Sequence, residues 1–168
     1  INDGGYLNFK KYQATPNSTA FLQYTGGTTG VSKGAILTHS NMTANVTQAH
    51  TWISQHTTEK QEVIVTPLPL YHIFSLTANC LTFMSIGGEN ILIPNPRDLG
   101  AFVKAIQNKR FTAFTGVNTL FNALNNYAPF RALNFSHLKL TLGGGMPVQQ
   151  AVADEWKQLT KCTLQQAY

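Results

Sequence analysis

Cysteine is scarce: Cys80 and Cys162 are the two in 168 residues, far apart and in apolar company. That argues against a disulfide framework or a thiolate metal set, implies no redox chemistry, and makes a buried thiol pair the expectation. No apolar run is long. The longest, residues 73–86, is broken by Ser75, Thr77, Asn79, Thr82 and Ser85, and it falls short of the roughly twenty apolar residues that a membrane crossing takes. A buried helix is expected there. Charge is thin as well, with twelve basic and seven acidic residues giving a net +5. The densest basic group, Lys104, Lys109 and Arg110, sits around one helix end; it reads as a solvated face, not a nucleic-acid stripe. No repeat or low-complexity tract appears, and no glycine triplet has dinucleotide-binding spacing with an acidic ribose ligand downstream.

What is present is concentrated in one string, Tyr24-Thr25-Gly26-Gly27-Thr28-Thr29-Gly30-Val31-Ser32-Lys33-Gly34, behind the apolar run Ala20-Phe21-Leu22-Gln23-Tyr24. Glycines let backbone approach an anion, hydroxyls donate short hydrogen bonds, and Lys33 adds a full charge. The string reads as a phosphate grip between a strand and a helix. It is not the kinase-type loop, because Lys33 follows Ser32 and no glycine tightens the turn before it. The bland alternative is a solvated Gly/Thr hairpin or linker.

β-rich runs alternate with helical patterns downstream. Strands are expected at residues 19–24, 62–66, 89–93, 111–115, 138–142 and 163–167, with Val63-Ile64-Val65 and Ile91-Leu92-Ile93 apolar on both faces. Val117, Leu120, Phe121 and Leu124 share one helical face, as do Val148, Ala151, Val152, Trp156 and Leu159. Asp98 suits an N-cap, and Pro147 a first helical residue. The βαβ alternation predicts a three-layer α/β/α domain with a mostly parallel sheet over residues 19–168, preceded by a loose lead-in at 1–18. In such sheets ligands bind beyond the carboxyl ends of the strands. The Thr/Gly string, Tyr71-His72, Gly116-Val117-Asn118, Gly143-Gly144-Gly145-Met146-Pro147 and Gln166-Ala167-Tyr168 are all expected at that edge.

The Thr/Gly string resembles the signature of the adenylate-forming superfamily of acyl-CoA synthetases, luciferases and adenylation domains. Leu37-Thr38-His39-Ser40-Asn41 and Pro67-Leu68-Pro69-Leu70-Tyr71-His72-Ile73-Phe74 resemble its next blocks. Asn95-Pro96-Arg97-Asp98, Thr115-Gly116-Val117-Asn118-Thr119-Leu120-Phe121 and the Gly143 to Pro147 block are most similar to the bacterial long-chain fatty acid–CoA ligases. Two departures stand out: Ser32 where many members have proline, and an end at Tyr168 just where the aromatic-Gly-x-Thr-Glu block begins. With no initiator Met at Ile1 and no leader pattern, the chain reads as a piece of something larger.

The resemblance implies an ATP-dependent ligase that makes an acyl-adenylate and passes the acyl group to coenzyme A. It implies that Tyr24 to Gly34, including Lys33, hold the ATP phosphates. His72 lies near the reacting carboxylate, although a histidine there could simply cap the following helix. Gly143, Gly144, Gly145, Met146, Pro147, Gln166, Ala167 and Tyr168 meet adenine or acyl chain, with a plain tight turn as the rival account of the glycines. Phe74, Val117, Leu120 and Met146 line an acyl channel, against a core reading of Leu120. The resemblance implies a magnesium-binding Glu past Tyr168, so no metal ligand is expected within these residues. A long-chain fatty acid, ATP and coenzyme A are the expected partners, in the cytoplasm, with peripheral membrane contact left open. A ligase for another acid, and a binding module without catalysis, are the competing readings.

Overall fold

A computed structural model describes residues 12–25 and 32–167. The chain divides into two compact units, 1–44 and 45–168, with the boundary inside the first helix.

In the first unit, β1 (Thr19–Thr25) pairs antiparallel with β2 (Lys33–Thr38), bringing Tyr24 opposite Gly34 and Thr25 opposite Lys33. The second strand was not expected between the Thr/Gly string and the helix that starts in the Leu37 to Asn41 block. The Ala35-Ile36-Leu37 run continues the hairpin, and α1 begins at His39 and runs to Ile53. Its start is a reciprocal cap: Asn41 N–H donates to Thr38 Oγ1 at 3.2 Å, while Asn41 Oδ1 accepts from Thr38 N–H at 2.9 Å. Residues 15–18 are not loose. Ser18 N–H donates to the Thr15 carbonyl at 3.0 Å, and the Pro16 carbonyl accepts from Ser40 N–H at 2.9 Å.

The second unit is a five-stranded sheet, β3 (Val63–Thr66), β4 (Glu89–Leu92), β5 (Ala113–Gly116), β6 (Leu140–Gly144) and β7 (Leu164–Ala167), in the order 4-3-5-6-7 with every pairing parallel. Alternate residues face opposite layers. Val65, Phe114 and Leu164 meet α3 (Leu99–Ile106), α4 (Asn118–Asn125), α5 (Ala128–Arg131) and α6 (Gln150–Thr160); Ile64, Ala113, Leu140 and Leu142 meet Ile53 of α1 and Phe83 of α2 (Thr82–Ser85). These are the three layers that the alternation predicted.

Three local readings change. The 73–86 helix is π-helical over Ser75–Leu81 before it becomes α2. Thr82 Oγ1 donates to the Thr77 carbonyl at 2.7 Å, five residues back, which supports the wider turn. Leu92 is 54% exposed because β4 is the sheet's edge, so only Ile91 and Ile93 of that run are buried. Pro147 precedes α6, which starts at Gln150 behind an extended Gln149. Asp98 does cap α3, its carboxylate accepting from Ala101 N–H at 3.0 Å. Cys162 is buried while Cys80 is only half-buried, both as free thiols.

Glu62 laces the amino edge of the sheet. It is buried, and its Oε1 accepts from Thr58 N–H at 2.7 Å and from Lys139 Nζ at 2.8 Å. Burial pushes its carboxyl upward, but the Lys139 ammonium, the Thr112 hydroxyl and the Thr58 amide outweigh that and hold it below the ordinary carboxylate range. The ionised form therefore contributes stability above the unfolded-state value, and that stability is lost as pH falls through the lowered folded value. Because Lys139 is nearly half exposed, Glu62→Gln is expected to cost about 2 kcal/mol at neutral pH. Urea midpoints measured against pH should converge with wild type in acid; parallel curves would refute the coupling.

Candidate active site

The parallel strands all point one way, so the segments following β3, β5 and β6 and the end of β7 share one edge. Strand order turns back about β3, which puts the crevice between the carboxyl ends of β3 and β5. Tyr71-His72, Gly116-Val117-Asn118, the glycine turn and Gln166-Ala167 are thus brought to one edge. The Thr/Gly string belongs to the hairpin unit instead. Gly26, Gly27, Thr28, Thr29, Gly30 and Val31 lie outside the described residues, as does Tyr168. Of the string's remainder, Tyr24 is exposed and its ring crosses Gly34, where a Cβ would come within 3.1 Å of it; Ser32 and Lys33 are exposed.

His72 stands immediately before the helical run and caps it. Its Nδ1 accepts from Phe74 N–H at 3.3 Å, and its carbonyl accepts from Leu76 N–H at 3.0 Å. The capping account is therefore realised, and it carries a chemical consequence. With Nδ1 engaged by Phe74 N–H, Nε2 is the ring nitrogen that the exposed imidazole leaves for a ligand. Behind it, Ser75 Oγ donates to the Leu68 carbonyl at 2.8 Å and fixes the preceding loop. Buried Asn79 donates to Thr115 Oγ1 at 2.8 Å, tying the π-helical stretch to β5.

Phe74, Ala78 and Thr82 recur at four-residue spacing along one wall of a cavity of about 360 Å³, completed by Ala49 and Trp52 of α1, Leu142 of β6, and Gln166 and Ala167 of β7. Its lining is mostly apolar, with Asn45, Thr82 and Gln166 as its polar members. Sequence reasoning found Phe74, Gln166 and Ala167 but missed Ala78, Thr82 and Trp52; the i, i+4, i+8 pattern from Phe74 was the available signal. Val117 and Leu120 do not join Phe74. They line a separate cleft with Pro67, Leu68, Pro96 and Arg97, and Leu120 is buried in the core on the α3–α6 side. Met146 is exposed on its turn.

The glycines divide the work. A Cβ on Gly143 would stand 2.5 Å from Val148 Cγ2, and one on Gly144 would stand 2.8 Å from Phe74 Cζ, so side chains of the protein occupy both places. Gly145, at φ +74°, makes the turn and leaves its open side free of close contacts. Two side chains hold the segment that leads from this turn into α6: Gln166 Oε1 accepts from Val148 N–H at 3.3 Å, and Asn118 Oδ1 accepts from Gln149 N–H at 2.9 Å. Among the described residues no group of three or more His, Cys, Asp or Glu side chains could hold a metal, and no helix is long and apolar enough to cross a membrane.

The model of the AMP-binding enzyme family matches residues 4–168. A long-chain-fatty-acid–CoA ligase of Escherichia coli O6:H1 is 52% identical over the full chain, which spans 30% of that relative's length. Among solved structures, the N-terminal domain of FACL13 from Mycobacterium tuberculosis superposes with TM-score 0.79 at 23% identity, covering 95% of this chain and 38% of that one. ATP-bound MatB from Rhodopseudomonas palustris does so with TM-score 0.74 at 25% identity, covering 94% of this chain and 30% of that one.

Proposed function

The chain belongs to the AMP-binding enzyme family, and from that premise we propose that the whole protein is a cytoplasmic long-chain fatty acid–CoA ligase. The observation that carries the substrate class is the mostly apolar cavity lined by Phe74, Ala78, Thr82 and Trp52, with polar Gln166 at the sheet edge. A hydrocarbon tail is sheltered from water in it while the carboxylate stays at the edge. The 52% identity to the Escherichia coli ligase supports the same substrate.

In the first step a carboxylate oxygen attacks the α-phosphorus of ATP; the α–β anhydride bond breaks and pyrophosphate leaves with its electrons. In the second, the thiol sulfur of coenzyme A attacks the acyl carbonyl, the carbonyl–phosphate bond breaks, and AMP leaves. The residues of this chain position and stabilise charge in these steps. The Tyr24 to Gly34 string grips the β- and γ-phosphates. The turn at 145–147, with Gln166, Ala167 and Tyr168, borders the adenylate. His72 donates from Nε2 to oxygen where the carboxylate meets the α-phosphate. ATP chemistry uses magnesium, but the described residues form no ligand set for it, and neither step is routed through it.

The test is pyrophosphate exchange into ATP by the full-length protein across a panel of acids. Exchange rising with aliphatic chain length is expected; preference for aromatic acids, or exchange without any acid dependence, would overturn the substrate reading. For His72, loss of a donor aimed at developing charge is expected to lower kcat about 10²-fold in His72→Ala. His72→Asn keeps both a capping acceptor and an amide donor: activity recovered over His72→Ala at equal stability supports the donor, and full activity in His72→Ala removes it.

A further inference from the structure

Asn118 is the first residue of α4, and its carboxamide oxygen reaches out of that helix to the N–H of Gln149, 2.9 Å away. Gln149 is the residue from which α6 starts, and its own side chain makes no cap there. The turn at 145–147 leading into it is exposed, and Gly145 has positive φ. A helix start without its own cap, following an exposed turn, is thus anchored by a side chain from the neighbouring strand end. Val117, before Asn118, is extended at φ −109° and ψ 159°, so nothing in the start of α4 requires asparagine; proline would serve α4 better at this position.

We propose that Asn118 is a positioning residue for the nucleotide, holding the 145–147 turn in the place from which it borders the adenylate. This rests on the proposed role of that turn in the ligase. The side chain of Asn118 accepts from Gln149 N–H; it acts by fixing where the turn ends and α6 begins.

The experiment uses the full-length enzyme and three variants. Asn118→Ala and Asn118→Pro both remove the bond, but proline keeps or improves the start of α4. Asn118→Asp keeps an acceptor oxygen in the same place. Asn118→Ala and Asn118→Pro are expected to raise KM for ATP about three- to tenfold with kcat within about twofold, and Asn118→Asp to restore wild-type KM. The melting midpoint of Asn118→Pro should match or exceed wild type. Amide exchange of the peptide carrying Gln149 should speed up in the Ala and Pro variants and return in Asp. Wild-type KM in Asn118→Pro would show that the residue serves only helix α4 and would overturn the proposal, as would unchanged protection at Gln149. If wild type itself exchanges no pyrophosphate, the ligase reading fails, and protection at Gln149 alone decides whether Asn118 anchors the turn.

Discussion

Trp156→Ala is expected to destabilise the protein by about 4 kcal/mol, among the larger effects a single core truncation produces. Trp156 is fully buried and packs within 4.8 Å of Phe121, 5.2 Å of Phe114 and 5.6 Å of Phe130, measured between ring centroids. Those rings belong to α4, β5 and α5, so one indole joins four elements of the same layer. Stacked, tilted and edge-on ring pairs of this kind add to the area term. Its Nε1–H also donates to Thr141 Oγ1 at 3.3 Å in a wholly buried setting, and the alanine variant takes that donor away, leaving the hydroxyl its contact with Cys162 Sγ at 3.4 Å. Trp156→Phe should recover much of the loss, since it refills most of the volume, but not all of it, because phenylalanine cannot donate. The urea midpoint of the full-length protein measures both; an unchanged midpoint in Trp156→Ala would mean that this layer is not the unit that limits unfolding.

Trp156 was legible in the sequence because its period was: Val152 and Trp156 fall one turn apart and both are buried. The same holds for Leu120, Phe121 and Leu124, and for the Val63-Ile64-Val65 run, whose two apolar faces meet two helical layers. The errors lie where local pattern is silent about neighbours. Ile91-Leu92-Ile93 looks like Val63-Ile64-Val65 in composition, yet no strand lies beyond it in the sheet, and one face of it stays exposed. Lys33 to Thr38 lacks a clear alternation, because a two-stranded hairpin needs its partner, not a buried face, to define it. A run as short as Ser75–Leu81 cannot reveal in its sequence whether the helix is wound α or π, so that stretch was readable only as a helix.

The site was legible to a similar depth. Four motif runs reached the carboxyl edge because parallel topology places every strand end there. What could not be read was which face each side chain would take. Phe74 and Leu120 both come after strand ends and both are large and apolar, but Phe74 lines the cavity shared with Leu142 whereas Leu120 turns into the α3–α6 layer. Asn118 is expected at that edge, but with no role of its own, because its partner, Gln149, is 31 positions away. Only the fold supplies that pairing.

The double variant Lys33→Ala, Thr28→Ala is expected to lower kcat/KM for fatty-acid-dependent pyrophosphate exchange by about 10²- to 10³-fold, with stability unchanged. The proposed chemistry sends the two terminal phosphates out as pyrophosphate, so negative charge accumulates on the leaving oxygens as the α–β bond lengthens. Donors fixed around those oxygens lower the barrier more than they strengthen ground-state binding. Lys33 is exposed at the start of β2, directly opposite Thr25, and forms no ion pair among the described residues. Its removal therefore leaves the fold intact. Lys33→Arg is the informative partner: it retains charge but not the compact ammonium, so partial activity would indicate that charge is what the string supplies at that position. The measurement is exchange by the full-length enzyme at saturating acid, with ATP varied. An active double variant would remove the phosphate grip from the Thr/Gly string and leave the hairpin with a structural role alone, whatever the acid panel shows.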